Sequence, residues 1–438
     1  MHKIRNILKF YNFDLQLIFW LSTIIFFILA MDTQKISFII AFSLFFLSSI
    51  FLKPNKKFII LIAILFVIFI WIVIQKSSSQ LINKKEIATS LNIQKNGNSL
   101  YFSHKSLNVL ILDKKIDPFS VYDFEFKIEK IETNENLRKN LNYYKSLNIF
   151  YYASELKIQK TYHLDFSFKR EVFNYFNDSP QNFKKIVSLL LVAQSQDSKD
   201  IQKILKDFSI YHLFVVSGFH MGIIKIFIYK LFFFIKRKEQ LKFSFFVIFS
   251  LSYLFILSFP ISALRAFIFI IAIQLNKFVL KQRFSKLQIL IFIALAFIIY
   301  NPFIIYSYSF ILSFLITLNI ILVLQLKIKS KVLNLVLISI VANLSSLLVI
   351  NVSINTTYNL LAIINSIIFS PIISVFYVVS IVFIWNKDFL DFLSFLVIEL
   401  LEFLKNYQLI ANLKIPIIVS FLGIYAFAFF TIVYAQKR

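Results

Sequence analysis

Long apolar runs alternate with short polar loops along most of the chain. The runs recur from residue 15 to residue 434, and each is long enough to cross a hydrocarbon core of about 30 Å as a helix. We therefore predict a mainly α, polytopic membrane protein with about nine to eleven transmembrane helices. The predicted spans are residues 15–31, 36–52, 58–74, 212–235, 243–259, 261–280, 287–300, 308–326, 332–351, 358–385 and 415–434.

A polar block at residues 76–207 interrupts the spans. Within it, residues 124–129 alternate apolar and charged side chains, which is typical of a half-buried strand. Residues 106–112 and 148–159 are also strand-like, so we predict a small β domain followed by a helical hairpin. The predicted domains are three transmembrane helices in 1–75, an extracytoplasmic β domain in 76–180, and a transmembrane domain in 181–434 with an amphipathic lead at 181–207.

Basic residues concentrate in alternate loops. The loops at 53–57, 236–242, 281–286 and 327–331 are each separated from the next by two spans, whereas the loops around 260, 301–306 and 351–357 carry no Lys or Arg. By the positive-inside rule, the basic loops and the N-terminus are cytoplasmic, and residues 76–207 are extracytoplasmic. The protein is thus predicted to lie in the cell (plasma) membrane as a multi-pass protein. Residues 388–405 are apolar but carry four acidic residues, so crossing and interfacial positions both stay open, as does the side of the C-terminus.

Composition supports a membrane protein and excludes several chemistries. Apolar residues make up 59% of the chain, and the mean hydropathy is +0.77. The net charge of +25 suits a nucleic-acid partner, although part of it sets membrane topology. The absence of cysteine excludes disulfides and thiolate metal sites. The four glycines cannot form a Walker A loop, so ATP hydrolysis by this chain is not expected.

The most informative segment is residues 212–222. Gly218 and Gly222 form a G-x-x-x-G pattern, which lets another backbone approach closely or lets the helix open locally. His212 and His220 are eight residues apart, within about 80° of each other on a continuous helix. With no third ligand in view, we expect no metal or other cofactor and interpret both histidines as hydrogen-bonded within a helix bundle.

Two cations and one serine complete the candidates. Lys225 lies near the middle of its predicted span, where a cation costs at least about 2.5–3.5 kcal/mol and should face a partner or water. Arg265 follows Pro260 by five residues, so an interfacial anchor and a pore mouth both stay open. Ser217 with His220 resembles a nucleophile and base. No orienting acid is identifiable, so we predict no enzyme activity.

Several segments together resemble the ComEC competence family. The run from Ser188 through Ser217-Gly218-Phe-His220-Met-Gly222 is similar to its hallmark segment. Ala263 to Ala266, around Arg265, resembles its R-A element. The segment from Asn301 to Phe314, which includes Phe310 and Ser313, and the segment from Asn365 to Pro371 resemble two further family motifs.

The resemblance implies a channel that takes up single-stranded DNA during transformation. It also implies an OB-like fold for the β domain, an extracellular DNA receptor, and a cytoplasmic ATP-driven translocase. Ser209 and Ser309 replace family glycines, Val215 replaces alanine, and Ile311 replaces a polar residue. The family's metallo-β-lactamase-like nuclease domain has no counterpart here, so another protein is expected to degrade the second strand.

The residues thus predict a polar path through the membrane for one DNA strand. Membrane lipid is the other expected partner, and we leave open whether the chain forms a homo-oligomer. A transporter of another polyanion or small solute, and an intramembrane enzyme, are the alternatives. The predicted pore residues are His212, Ser217, Gly218, His220, Gly222, Lys225, Arg265, Phe310, Ser313, Asn365 and Pro371.

Overall fold

The computed structural model divides the chain into two compact units. The first contains the described parts of 1–165 and 280–311, and the second those of 166–279 and 312–435. The predicted span 415–434 lies outside the described residues. The structure describes residues 2–51, 58–77, 85–96, 99–104, 107–112, 116–117, 120–162, 167–193, 199–234, 239–326, 328–353 and 357–412.

Helices make up most of the described residues. They are α1 (His2–Thr33), α2 (Ile36–Phe51), α3 (Phe58–Ser77), α4 (Glu135–Arg138), α5 (Leu141–Ser146), α6 (Phe168–Asn177), α7 (Gln181–Val192), α8 (Lys199–Asp207), α9 (Tyr211–Phe214), α10 (Gly218–Leu231), α11 (Glu239–Ile256), α12 (Ile261–Phe278), α13 (Lys286–Tyr300), α14 (Tyr308–Gln325), α15 (Lys331–Ser353), α16 (Ala362–Val382) and α17 (Lys387–Lys405). Four of these helices, α11, α12, α14 and α16, are long and apolar enough to cross a membrane. The mainly α membrane fold with a small β domain is confirmed, while the total of nine to eleven spans stays a prediction.

The strands of the polar block form one mixed sheet. They are β1 (Lys85–Asn92), β2 (Gln94–Asn96), β3 (Ser99–His104), β4 (Leu107–Ile111), β5 (Val121–Lys130) and β6 (Ile149–Tyr162), and a separate hairpin contains β7 (Thr357–Asn359) and β8 (Ile410–Asn412). The order of the sheet is β1-β5-β6-β4-β3-β2, with a parallel pair between β4 and β6. The predicted strands at 106–112, 124–129 and 148–159 are confirmed.

The sheet closes on itself because β1 and β2 are two halves of one bent strand. Only the buried Ile93 separates them; β1 pairs with β5, whereas β2 pairs with β3. The result is a five-stranded Greek-key barrel of the OB type. Aromatic rings fill its interior, where Phe102 packs on Phe124 and Phe126 at centroid distances of 5.6 and 4.9 Å. The OB-like topology implied by the family resemblance is therefore present in the structure.

A buried ion pair joins the barrel's helix α5 to the helices of the first unit. Lys145 Nζ lies 2.9 and 3.0 Å from the two carboxylate oxygens of Asp32, at the end of α1. The Tyr306 hydroxyl donates a third hydrogen bond to Asp32 at 2.7 Å, and the Asn301 amide donates to the Ser146 carbonyl at 2.9 Å. Three segments that the charge pattern assigns to one side of the membrane thus meet at Asp32.

In the second unit, a side chain of α17 caps the N-terminus of α7. Pro180 precedes α7 and supplies no side-chain cap. The Asp391 carboxylate on α17 instead accepts hydrogen bonds from the Phe183 backbone N–H at 2.8 Å and the Asn182 amide at 3.2 Å. A carboxylate at a helix N-terminus satisfies unpaired N–H groups and suits the helix dipole. The choice between crossing and interfacial positions for α17 stays a prediction.

Candidate functional site at a helix break

The predicted span 212–235 is not one continuous helix. It consists of the short α9 and of α10, separated by extended backbone at Val215 (ψ 135°) and Ser217 (φ −146°, ψ −175°). The prediction that His212 and His220 share a helix face is therefore wrong. The Ser217 N-cap starts a new helix at Gly218, so α10 begins inside the sequence that hydropathy alone assigns to one span.

A capping box made by two predicted site residues fixes this break. The Ser217 hydroxyl accepts from the Phe219 N–H at 3.3 Å, while Nδ1 of His220 accepts from the Ser217 N–H at 3.2 Å. In most capping boxes a Glu or Gln occupies the position of this histidine. His220 is fully buried, and its ring meets that of Tyr377 edge to face at a centroid distance of 4.7 Å.

These bonds give Ser217 and His220 structural roles. Because Nδ1 of His220 accepts a backbone hydrogen bond, its proton is assigned to Nε2. Nε2 is buried and has no hydrogen-bond partner in the described part of the chain. The Ser217 hydroxyl lies 3.3 Å from Nδ1, but no described carboxylate orients the imidazole. The arrangement therefore lacks the third group of a catalytic triad.

Gly218 and Gly222 have different surroundings. A Cβ atom at Gly218 would lie 3.1 Å from Nη2 of Arg265 and 3.2 Å from Cβ of Ala266, so α10 approaches α12 closely there. A Cβ atom at Gly222 would meet nothing within 4 Å. The G-x-x-x-G pattern thus provides one close contact and one open position, rather than the two close contacts of a simple packing motif.

Arg265 lies at the centre of the site. It is 5% exposed, which contradicts the interfacial-anchor alternative. Its Nη1 donates to the Thr317 hydroxyl at 2.7 Å, its guanidinium lies 5.5 Å from the centroid of the Phe314 ring, and its Nε has no hydrogen-bond partner in the described structure. Among the described residues, only neutral side chains contact this cation.

Thr317 joins the site although no sequence motif pointed to it. Its hydroxyl accepts from Arg265 and donates to the Ser313 carbonyl on the preceding turn of α14 at 2.8 Å. The predicted residue Ser313 therefore contributes through its backbone. Phe310 lies in the first turn of the same helix and packs on Phe297, with ring centroids 6.2 Å apart.

No acidic residue in the neighbouring sequence offsets the charge of Arg265. The 148 residues between Glu239 and Asp388 contain ten Lys or Arg and no Asp or Glu. These residues include all of α12, α13, α14, α15 and α16. An uncompensated cation in such surroundings is costly, so the helices around Arg265 favour an anion supplied from outside this segment.

Lys225 faces a different environment. It is partly buried on α10, and its ammonium lies 5.8 Å from the centroid of the Tyr229 ring. It is within electrostatic range of Glu239 and Lys277, which form an exposed ion pair at 2.9 Å. Lys225 thus lies between the helix break and the charged ends of α11 and α12.

His212 is exposed on α9, before the break, whereas His220 is buried on α10 after it. The break therefore places the two histidines on different helices. Among the described residues, no group of three or more His, Asp or Glu side chains could hold a metal ion.

Asn365 lies in a hydrogen-bonded cluster at the start of α16. Its amide donates to the Phe208 carbonyl at 3.1 Å and to the Gln408 side chain at 2.7 Å. Asn359 donates to the same Gln408 oxygen at 2.7 Å and to the Asp207 carbonyl at 2.6 Å. The cluster fixes the end of α8 to α16. Pro371 lies inside α16 and removes one backbone hydrogen bond.

The end of α8 explains why a glycine suits position 209. Ile210 N–H donates to the Leu205 carbonyl at 3.0 Å, and Ser209 N–H donates to the Lys206 carbonyl at 2.8 Å. These are the two bonds of a Schellman motif, whose C′ residue adopts the left-handed conformation. Ser209 occupies that position with φ 59°, which costs a non-glycine residue roughly 1 kcal/mol.

We expect Ser209→Gly to raise the free energy of unfolding by about 1 kcal/mol, because it relieves this strain. Ser309→Gly is a matched control, since Ser309 lies in the first turn of α14 and does not adopt the left-handed conformation, so glycine there relieves no strain and should not raise the stability. Thermal unfolding of the purified full chain in detergent measures both effects. Equal melting temperatures for Ser209→Gly and the wild type would contradict the assignment.

The fold and the site together define a class, a helical membrane protein that contains an OB-type barrel and a broken helix. A family model described as "Competence protein" matches residues 189–438, which is more than half of the chain. The chain therefore belongs to the competence protein family, whose members act in DNA uptake. No curated protein and no solved structure matches the chain.

Proposed function

We propose that this chain forms the conduit through which one strand of DNA crosses the cell membrane. The main support for the proposal is the buried Arg265, whose described contacts are with neutral side chains. Arg265 also belongs to a stretch of 148 residues that contains no Asp or Glu. A DNA backbone supplies one negative charge per nucleotide, and arginine binds phosphate through parallel hydrogen bonds.

The residues at the break have complementary roles in this proposal. Arg265 binds a passing phosphate. When no phosphate is bound, the Thr317 hydroxyl accepts a hydrogen bond from one N–H of the guanidinium. Gly218 leaves room for the guanidinium beside α10, and the open position at Gly222 leaves room for the strand. Lys225 lies further along α10 and receives the next phosphates. Aromatic side chains stack bases without sequence preference.

The direction of transport requires an energy source. Each phosphate that moves inward against a negative-inside potential costs about 2.3 kcal/mol per 100 mV. We propose a cytoplasmic ATP-driven translocase that pulls the strand and an extracellular receptor that delivers it. In this arrangement the N-terminus is cytoplasmic and the barrel is extracytoplasmic, as the basic loops favour.

Uptake of labelled DNA by cells that carry Lys225→Met tests the conduit. We expect uptake to fall about tenfold or more, because the variant removes a partly buried cation that contributes at least about 1.4 kcal/mol to phosphate binding. Lys225→Arg keeps the charge and is expected to retain most uptake. Immunoblots of the membrane fraction establish equal abundance.

Normal uptake by Lys225→Met at normal abundance would remove Lys225 from the path. If a deletion strain takes up DNA normally but shows a changed solute profile, the chain transports another polyanion or a small solute instead. This outcome would contradict the DNA conduit while leaving the uncompensated arginine explained by a different anion.

A further inference from the structure

Three lysines form one exposed ridge on α8, directly before the helix break. Lys199, Lys203 and Lys206 lie at i, i+4 and i+7, within an arc of about 60° on a helix of 3.6 residues per turn. All three are exposed, and none forms an ion pair within the described structure. The opposite face of α8 is buried through Ile201, Ile204 and Leu205.

The acidic residues of α8 do not interrupt this ridge. Asp200 and Asp207 lie along one side of it, about 60° and 40° from Lys203 around the helix axis. The other side carries no acidic residue of α8, so the three lysines form a strip of positive charge with an acidic edge on one side only.

An aromatic side chain lies at the end of the ridge, and the candidate site follows it along the chain. The Lys206 ammonium lies 5.3 Å from the centroid of the Tyr211 ring, and Tyr211 is partly exposed. The next residue is the exposed His212, the first of the predicted pore residues. A row of cations that ends beside an aromatic ring is typical of surfaces that bind single-stranded nucleic acid.

The structure holds the ridge in place relative to the break. The last carbonyls of α8 accept hydrogen bonds from Asn359 and Asn365, and the chain turns sharply at Ser209 through the Schellman bonds. The ridge, Tyr211 and the start of α10 therefore lie on successive rigid segments. A ligand bound along α8 would be directed towards the break.

We propose that the α8 ridge of Lys199, Lys203 and Lys206 is an entry track that binds consecutive phosphates of single-stranded DNA, with Tyr211 as its first stacking surface. This inference rests on the proposed function, since it assigns the surface by which the strand reaches the conduit. It adds four residues that are not among the predicted pore residues.

Salt-dependent binding tests the track. The purified full chain in nanodiscs of zwitterionic lipid is titrated with a fluorescent oligothymidylate at several salt concentrations. For Lys199→Gln/Lys203→Gln/Lys206→Gln we expect the slope of log K against log salt to decrease by about 2, because each lost phosphate contact on a single strand contributes about 0.7. Lys281→Gln/Arg283→Gln/Lys286→Gln is the matched control, since it removes three exposed positive charges elsewhere and should change the slope less.

The absence of cysteine from the chain allows a second, position-specific readout. An oligonucleotide with a thiol-reactive group on its backbone should cross-link to Lys203→Cys several-fold faster than to Lys286→Cys. Equal slopes for both triple variants, or equal cross-linking rates, would overturn the track even if the wild type binds and takes up DNA. A wild type that neither binds the oligonucleotide nor takes up DNA would contradict the proposed function itself.

Discussion

Arg265→Gln is expected to reduce DNA uptake about 30-fold or more without lowering the stability of the protein. Removing a charged group that binds an anion in a buried site costs at least about 2 kcal/mol of binding, which corresponds to that factor. Glutamine can still bond the Thr317 hydroxyl, so the α12–α14 contact is retained. Uptake of labelled DNA and the melting temperature of the purified protein are measured together.

The stability measurement separates the two roles that a buried arginine can have. If Arg265 were only a structural bridge, its loss would lower the melting temperature. If Arg265 instead binds phosphate, the protein without DNA carries an uncompensated cation. Arg265→Gln should then be as stable as the wild type or more stable. A variant with normal uptake and a lower melting temperature would therefore refute the phosphate role.

Two further variants refine the result. Arg265→Lys keeps the charge but loses the planar, bidentate geometry, so we expect intermediate uptake. Thr317→Val removes the hydroxyl that bonds the guanidinium in the absence of a phosphate. In the proposed mechanism this change leaves the anion-binding group intact, so uptake should fall much less than for Arg265→Gln.

Helices and strands that have a local pattern in the sequence could be predicted from the sequence alone. The alternation at 124–129 predicted β5, and hydropathy predicted α11, α12, α14 and α16. Local opening of the helix was one of the two interpretations of the G-x-x-x-G pattern. Hydropathy could not locate the break, because Val215 and Val216 are as apolar as the flanking helices. The available signal was Ser217 three residues before His220, which is a capping-box spacing with a histidine in place of Glu or Gln.

The contacts that define the site depend on tertiary structure. Thr317 is 52 residues from Arg265, and a threonine inside an apolar helix usually bonds its own backbone. Asn365 was assigned to the path from a motif, yet its amide bonds Phe208 and Gln408. In contrast, the 148 residues without an acid could have been counted directly, and they indicate that neither the helix of Arg265 nor the four helices that follow it supply a counter-charge.

Lys145→Met is expected to lower the free energy of unfolding of the first unit by about 3–5 kcal/mol, because it leaves the Asp32 carboxylate buried without a cation. The side chains of Asp32 and Lys145 are only 5% and 10% exposed, and the Tyr306 hydroxyl alone cannot offset the charge. Chemical unfolding in detergent, or the rate of limited proteolysis at the barrel, measures the loss.

The double variant Asp32→Asn/Lys145→Met provides the control. It replaces the buried pair by neutral groups, and such replacements are often nearly neutral for stability. We therefore expect the double variant to recover most of the stability that Lys145→Met loses. If both variants were equally unstable, the packing of the Lys145 stem on Phe303, whose ring centroid lies 5.8 Å from the ammonium, would be the main attachment of the barrel. If Lys145→Met lost less than about 1 kcal/mol, the pair would behave as a solvated surface ion pair, and the barrel would depend on its other contacts with α1 and the 302–306 turn.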